Sequence, residues 1–191
     1  KNQALVREYV ALAAALRCPF VRVFPGTIPQ AGFLGRQRRD TVLGRIGAAL
    51  RELGAHAVVH GVSIVVENAG DFADSTSIWY IVDAVESPSV RCCWNPVTAR
   101  AHGERLTRSI PRLNSRIGLM RIGDFKLNDR GVIDEPVLPG QGDGEVRLLV
   151  QLLKGITYRG YLVLDRPRHT NPSLADATAI LPAAAKYLRD L

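Results

Sequence analysis

The chain has 191 residues, 47% of them hydrophobic, which suffices for one ordinary globular domain with a sizeable core. Its formal net charge of +7, from 25 basic and 18 acidic residues, permits an anionic partner, either a small molecule or a nucleic acid. No apolar run reaches the roughly 18 residues of a membrane span and no signal peptide is visible, so we expect no membrane association.

The basic residues are spread along the sequence rather than gathered on one stripe. Only residues 36–39 form a dense cluster, and aromatic residues do not alternate with the arginines, so we do not expect a nucleic-acid partner. Cys18, Cys92 and Cys93 provide no disulfide framework, which is typical of a reducing, cytoplasmic compartment. The sequence does not determine the oligomeric state, and a homo-oligomer is compatible with it.

Six stretches have the periodicity of amphipathic helices, with apolar residues three and four positions apart. Pro19 ends the first helix, and we expect Gly54 to end the second, because glycine is common just beyond a helix C-terminus. The third helix begins at Asp71 or Asp74, and Pro111 interrupts the fourth. The predicted helices cover residues 1–17, 41–53, the stretch through 86, 99–115, 145–156 and 173–190.

Five apolar, strand-like runs alternate with these helices, and each ends on a polar residue where a loop begins. The runs cover residues 20–26, 62–68, 90–96, 117–124 and 161–165. This alternation predicts a parallel (β/α) barrel, in which the carboxyl ends of the strands form the active site. Residues 125–143 are a polar excursion rich in Gly and Pro, long enough for a functional loop or a small hairpin. We read residues 1–191 as a single domain. The polar residues at the strand ends are Glu67, Asn95, Arg121 or Asp124, and Asp165.

Several segments occur in the order of one known family's motifs. They are Val65-Val-Glu-Asn-Ala-Gly-Asp-Phe, Trp94-Asn-Pro, Met120-Arg-Ile-Gly-Asp, Leu138-Pro-Gly-Gln-Gly-Asp-Gly and Tyr158-Arg-Gly-Tyr-Leu-Val-Leu-Asp. Together they resemble the xylose isomerase-like TIM barrels, the sugar phosphate isomerases and epimerases. The resemblance implies a (β/α)8 TIM barrel of which the chain covers about strands four to eight, with the first three strands missing. We expect either an N-terminally incomplete chain or an open form with an exposed edge.

The resemblance also implies a site. In the family, Glu, Asp, His and Glu at the ends of strands five to eight hold a divalent metal, which stabilises an enediolate while the two Glu residues move a proton. Carried over, Glu67 and Asp165 are the acid/base pair and metal ligands. Asn95 stands where Asp is expected, and Arg121 where His is expected. The predicted metal site of Glu67, Asn95 and Asp165 is therefore degenerate.

The charges show how strongly the site departs from the family's pattern. Glu67 and Asp165 bring two negative charges, Asn95 brings none, and Arg121 adds a positive one. A cation a few ångströms from a divalent ion costs several kcal/mol even at an effective dielectric constant of about 20. We expect weak binding of Mn, Co, Mg or Zn, or a metal-free site. Either Arg121 replaces the metal as the electrophile, or the site has decayed and Arg121 forms a buried ion pair.

Further site residues follow from the same resemblance. Asp124 is either a turn residue or, in the interpretation we favour, orients Arg121 or Lys126. The glycine-rich segment 140–144 lacks the Lys and Ser/Thr of a phosphate-binding loop, so we expect a turn before a helix, with phosphate binding by its amides as the alternative. Asn95, before Pro96, would also suit a plain turn. The residues predicted to bind substrate are Asn68, Trp94, Asp124 and Lys126.

Three functions fit these residues to different degrees. The first is a sugar or sugar-phosphate isomerase or epimerase, with dehydration of a keto-inositol as a neighbouring chemistry. The second is a non-catalytic sugar-binding or regulatory relative, because two of the four ligand positions are changed. A DNA-repair endonuclease with the same barrel needs a histidine-rich three-metal cluster, and the four histidines of this chain do not fall at the expected strand ends.

Overall fold

A computed structural model describes residues 2–29, 38–166 and 171–191. Part of the predicted loop after the first strand, with Arg36 of the basic cluster, lies outside the described residues. Among those described, no helix has the length and apolar character needed to cross a membrane.

Seven helices and seven strands are formed by the described residues, and most coincide with the predicted ones. The helices are α1 Asn2–Ala15, α2 Arg39–Val59, α3 Ser75–Asp83, α4 Pro96–Ala101, α5 Leu106–Leu113, α6 Val146–Gly155 and α7 Ala177–Arg189. The strands are β1 Phe20–Val23, β2 Ser63–Glu67, β3 Val90–Trp94, β4 Ile117–Ile122, β5 Asp124–Leu127, β6 Ile133–Val137 and β7 Tyr161–Leu164.

Five of the strands form one parallel sheet in the order β1-β2-β3-β4-β7. The sheet is curled into a half-barrel, because Phe20 and Tyr161, on the two strands at its ends, approach within 6.0 Å between ring centroids. The other two strands, β5 and β6, pair antiparallel and confirm the predicted small hairpin between β4 and α6. The predicted partial TIM barrel is confirmed.

The hydrophobic core lies between the convex face of the sheet and the helices. Alternate residues of each strand point toward that side, since side chains in a strand change face at every residue. Buried helix residues, such as Ile78 and Ile81 of α3, pack against them. The fully buried strand residues of this core are Ile64, Val66, Cys92, Trp94, Met120 and Ile122.

Helix α2 corrects the prediction that Gly54 ends the second helix. The helix continues to Val59, and Gly54 lies buried inside it. A Cβ at this position would lie 2.7 Å from Cγ2 of Val90, the first residue of β3. Glycine is therefore required here by the close approach of helix and strand, a role that the sequence does not distinguish from a helix end.

Helix α1 exposes the apolar residues that predicted it. Its buried positions are Val10 and Ala13, the latter shortly before the helix ends at Ala15. The residues of the predicted stripe are between 50% and 70% exposed: Leu5, Tyr9, Leu12 and Leu16. The helical periodicity was therefore correct, whereas the stripe faces away from the sheet.

The predicted helix over 99–115 consists of two helices, α4 and α5, which are separated at residues 102–105. The break therefore precedes Pro111, which is accommodated inside α5. Gly103 has a φ of +80° in the connection, a conformation that favours glycine.

Asp74, one of the two predicted helix starts, caps α3 by accepting a hydrogen bond from the Ser77 amide at 2.9 Å.

Candidate functional site

Five polar side chains lie close together at the carboxyl ends of the parallel strands. Glu67 is the last residue of β2, and Asn95 directly follows β3. Arg121 is the penultimate residue of β4, and Asp165 directly follows β7. Arg22 of β1 completes the cluster. The sheet thus brings together all of the predicted acid/base and metal-site residues.

The carboxylate of Glu67 is buried and engaged at both oxygens. Its side chain is 6% exposed, and Oε2 accepts a hydrogen bond from Arg22 Nη1 at 2.7 Å and from Arg121 Nη1 at 3.2 Å. Oε1 accepts one from Asn95 Nδ2 at 3.2 Å. The negative charge of Glu67 is therefore shared between two guanidinium groups rather than left free.

Asp165 is bound by the same arginine. Arg121 Nε donates to Asp165 Oδ2 at 3.1 Å, and Arg121 Nη2 donates to Oδ1, so two nitrogens of one guanidinium meet one carboxylate. Asn95 Nδ2 also donates to Oδ2, at 3.1 Å. Because Arg121 also contacts Glu67, one cation lies between the carboxylates from β2 and β7. This forked geometry is the one that arginine offers and lysine does not.

Asn95 joins the site to helix α4. Its Oδ1 accepts hydrogen bonds from the amides of Val97 at 3.1 Å and Thr98 at 3.4 Å, which caps the helix. Its Nδ2 donates to both Glu67 and Asp165. Only this orientation of the amide satisfies the two backbone donors and the two carboxylates together. The nitrogen of Asn95, not its oxygen, thus faces the carboxylates.

Asn68, a predicted substrate-binding residue, lies fully buried beneath Asn95. Its Oδ1 accepts a hydrogen bond from the Asn95 amide at 2.7 Å, and its Nδ2 donates to the Asn95 carbonyl at 3.0 Å. A third bond, from Nδ2 to the Ala73 carbonyl at 3.1 Å, ties the same side chain to the loop before α3. In this position Asn68 fixes the backbone of Asn95 between the two carboxylates.

Arg22 was not among the predicted site residues. Its side chain is 41% exposed, its guanidinium lies 5.0 Å from the centroid of Phe24, and it makes the shortest contact to Glu67. The signal in the sequence is a single charged residue in the apolar run of β1, at a position that alternation places on the concave face. Without a known partner on β2, that signal could not be assigned to a site.

Asp124 binds the glycine-rich segment that follows the hairpin. Its Oδ2 accepts from the amides of Gly140 at 2.8 Å and Gly142 at 3.0 Å, and its Oδ1 accepts from the amide of Gly144 at 2.8 Å. The carboxylate is 4% exposed. A Cβ on Gly142 would lie 2.3 Å from the Phe125 carbonyl oxygen, so the loop closes tightly around the carboxylate. These amides therefore bind an internal anion.

The two other predicted substrate-binding residues lie apart from this cluster. Trp94 is fully buried in the core between sheet and helices, where its Nε1 has no hydrogen-bond partner among the described residues. Lys126 is exposed on β5 of the hairpin. Their assignment to substrate binding stays a prediction, and the position of Trp94 supports a packing role.

Cys93 lies beside Glu67 on the neighbouring strand. Its Sγ is 3.8 Å from Glu67 Oε2. Burial, and then the nearby negative charge of Glu67, raise the pKa of the Cys93 thiol from its ordinary value of 9.0 to about 12. The thiol is therefore protonated at neutral pH and donates to the carboxylate, so it is no nucleophile in this state.

The donor set of the cluster does not fit a divalent metal. A metal needs free oxygen lone pairs, whereas here both carboxylates accept hydrogen bonds from Arg121 and Asn95, and Asn95 presents nitrogen. Within the described parts of the chain, no group of three or more His, Cys, Asp or Glu residues could hold a metal ion. The guanidinium of Arg121 also lies between the carboxylates that would have to bind the ion.

The family of the chain follows from its sequence and agrees with the half-barrel. The xylose isomerase-like TIM barrel family matches residues 1–191, and the chain belongs to this family. No protein of curated function matches the chain by sequence.

Solved structures share the fold at low sequence identity. A xylose isomerase domain protein from Planctomyces limnophilus is 18% identical, with a TM-score of 0.72 over 99% of this chain and 66% of that one. A D-allulose 3-epimerase from Methylomonas sp. is 16% identical, with a TM-score of 0.78 over 98% and 68%. The IolI protein with a bound zinc atom is 19% identical, with a TM-score of 0.79 over 98% and 67%. The chain thus spans about two thirds of the length of each.

Proposed function

We propose that the protein is a sugar or sugar-phosphate isomerase or epimerase that moves a proton next to a carbonyl group, with Glu67 and Asp165 as the acid/base pair. The observation that carries this proposal is the convergence of the two carboxylates on one guanidinium and one amide. The fold of solved sugar epimerases supports the same class of reaction. The proposal rests on the carboxyl ends of the parallel strands, which carry both carboxylates.

The chemistry needs two groups on either side of one carbon atom. One carboxylate accepts the proton from the carbon next to the carbonyl, and the electron pair of the C–H bond moves to the carbonyl oxygen as an enediolate forms. The proton then returns from the same or the other carboxyl group, which completes isomerisation or epimerisation. Glu67 and Asp165 come from β2 and β7, separated in the sheet by two strands, so a small ligand between them meets both.

A cavity of about 560 Å³ on the concave face of the half-barrel borders the cluster on one side. Arg22, Cys93 and Arg121 belong to both the cluster and the cavity wall, and the rest of the wall is mostly apolar. Pockets for small ligands commonly have volumes of several hundred Å³. The guanidinium of Arg22 is partly exposed, and its donors suit the hydroxyl, carbonyl and phosphate oxygens of a sugar phosphate.

The test is turnover of a panel of ketoses and ketose phosphates, followed by product analysis. The double variant Glu67→Gln, Asp165→Asn should lose turnover by at least about 100-fold, because both proton acceptors become amides. Asp134→Asn, which changes an exposed carboxylate on β6, is the matched control and should leave turnover unchanged. Full turnover in the double variant would contradict the acid/base assignment. Release of water from a keto-inositol would redirect the proposal to the neighbouring dehydratase chemistry.

A non-catalytic sugar-binding protein is the second candidate, and one observation favours it. Both oxygens of Glu67 already accept hydrogen bonds, from Asn95 on one side and from Arg22 and Arg121 on the other. With both oxygens engaged, Glu67 has no oxygen free of a hydrogen-bond partner for the C–H proton of a substrate until a ligand displaces one of these partners. Calorimetric binding of a ketose without any turnover, across the same panel, would support this candidate over the isomerase.

A further inference from the structure

We infer that the guanidinium of Arg121 is a built-in replacement for the divalent ion of this barrel family, and that it is the group that polarises the carbonyl oxygen of a bound ligand. The first half of this inference concerns the cation and stands on the geometry of the cluster together with the family resemblance. The second half, the role in polarising a ligand, rests on the proposed function.

The position of Arg121 is the first argument. Its Nε and Nη2 donate to Asp165, and its Nη1 donates to Glu67, so all three guanidinium nitrogens meet the two strand-end carboxylates. The resemblance of the sequence to the family implies that these same carboxylates would bind the ion. The arginine side chain is 18% exposed, so it lies in the site rather than over it.

The charge of the cluster is the second argument. The two carboxylates and the two guanidinium groups of Arg22 and Arg121 sum to zero. Addition of a divalent ion would leave the cluster with two uncompensated positive charges, and the ion would lie within a few ångströms of a guanidinium. Like charges at that distance in a partly buried site repel strongly. A cation is already present, and the carboxylates have no charge left to bind a second one.

Asn95 is the third and independent argument. Its oxygen is held by the amides of Val97 and Thr98 at the start of α4, and Asn68 fixes its backbone from below. Rotation of the amide to present oxygen to an ion would place NH₂ against those two backbone donors and uncap the helix. The side chain is therefore held as a hydrogen-bond donor toward Glu67 and Asp165. This orientation satisfies the two carboxylates when no metal is bound to them.

The arrangement leaves Arg121 able to serve a ligand. Its contact from Nη1 to Glu67, at 3.2 Å, is longer than the contact of Arg22 to the same oxygen, at 2.7 Å. Arg22 can therefore keep Glu67 paired while Nη1 of Arg121 donates to a ligand oxygen. Its other two nitrogens remain on Asp165 and hold the plane of the guanidinium in place. A fixed donor aimed at a developing oxyanion lowers the barrier for its formation.

The experiment restores the family's ligands and measures the metal directly. The variant Asn95→Asp, Arg121→His should bind one Mn²⁺ per chain, because Asp caps α4 equally well and its second oxygen joins Glu67 and Asp165. The wild-type protein should retain no Mn²⁺ after dialysis, and its affinity should be weaker by more than about 100-fold. The measurements are elemental analysis, titration calorimetry with Mn²⁺, and the rise of the melting temperature in Mn²⁺.

Each outcome decides the inference. One Mn²⁺ per wild-type chain, lost in Glu67→Gln, would overturn it, and so would a folded double variant that binds none. The control Arg116→His changes a half-buried arginine that pairs with Asp83 away from the site, and it should bind no Mn²⁺. If the double variant does not fold, Arg121→Gln alone, which removes the cation and leaves both carboxylates, should bind Mn²⁺ more tightly than the wild type, and no gain would overturn the inference. These readouts do not depend on turnover, so failure of the proposed enzymatic reaction would leave them unaffected.

Discussion

The guanidinium of Arg121 binds Asp165 through two nitrogens at once, with Nε 3.1 Å from Oδ2 and Nη2 against Oδ1. The two residues lie on neighbouring strands, one residue before the end of β4 and one residue beyond β7, so the pair joins the last two strands of the sheet at their carboxyl ends. Both side chains are less than 20% exposed, at 18% and 17%. The pair is therefore both the centre of the candidate site and a structural link within the half-barrel.

Removal of this arginine should destabilise the protein. In Arg121→Leu, Asp165 loses its forked partner, and Glu67 loses one of the two arginines that pair with it. We therefore expect the free energy of unfolding to fall by about 3 kcal/mol. Urea denaturation at neutral pH measures it. The matched control is Arg116→Leu, which breaks a more exposed pair with Asp83 and should lower the free energy by less than about 1 kcal/mol. Equal losses in the two variants would contradict a structural role of the buried pair.

Asp124 should hold the glycine-rich segment that precedes α6. In Asp124→Asn, one carboxylate oxygen becomes an NH₂ group that faces backbone amides, so the bonds from Gly140, Gly142 and Gly144 cannot all be kept. We expect a loss of more than about 2 kcal/mol in unfolding free energy, because hydrogen bonds to a buried carboxylate are lost and the new NH₂ group is buried against backbone donors. Hydrogen exchange at residues 140–144 should accelerate as well. Asp134→Asn, on the exposed face of the same hairpin, should change neither measurement.

Two glycines of helix α2 should respond to alanine with opposite signs. A Cβ at Gly54 would lie 2.7 Å from Val90, so Gly54→Ala forces helix and strand apart and should destabilise by about 1–3 kcal/mol. Gly44 is exposed in the same helix, and a Cβ there would meet nothing within 4 Å. Gly44→Ala should therefore stabilise by up to about 1 kcal/mol. The midpoint of chemical denaturation distinguishes the two, and destabilisation by both would refute the packing argument.

Stability should decline at alkaline pH because of buried groups that resist ionisation. Burial raises the pKa of Cys93 from 9.0 to about 12, and burial raises the pKa of Tyr158 from 10.0 to about 12. Above pH 9 the unfolded chain loses these protons while the folded chain retains them, so ionisation favours unfolding. The stabilisation is complete below pH 9 and is lost progressively as the pH rises to about 12.

The measurement is the unfolding free energy at several pH values from 8 to 11. In Cys93→Ala the alkaline decline should be smaller by about 1 kcal/mol between pH 8 and pH 10. Tyr158→Phe should reduce the decline at still higher pH, although it also removes the hydrogen bond from Tyr158 to the Tyr161 carbonyl. Cys18→Ala removes an exposed thiol and is the control. An unchanged slope in Cys93→Ala would show that the buried thiol does not contribute.

Periodicity and turn residues sufficed to predict most of the elements, because strands such as β3 and helices such as α6 depend on local patterns of apolar residues. Their alternation predicted a parallel barrel, and the family resemblance added its type. The prediction failed where a residue acts through a distant contact. Gly54 follows an apolar helical stretch, as a glycine at a helix end does, yet it is needed for close contact with Val90, which is distant in sequence. The stripe on α1 has the correct spacing for a helix, and only the fold decides which of its faces is covered.

The sequence sufficed to predict which residues form the candidate site, but not the hydrogen bonds and ion pairs between them. Glu67, Asn95, Arg121 and Asp165 end successive strands of one sheet, so topology alone brings them together. The orientation of the Asn95 amide depends on two helix amides, and the second arginine, Arg22, depends on the pairing of β1 with β2. Such details require coordinates because each is fixed by groups on another element.

The capping role of Asn95 has an evolutionary consequence. Aspartate and asparagine have nearly the same shape and cap a helix equally well, so an exchange between them leaves α4 intact. Their codons differ by a single base, and so do codons of histidine and arginine. A single base change at Asn95 can therefore supply an aspartate without uncapping α4, and a single base change at Arg121 can supply a histidine. Neither change requires rebuilding of the scaffold.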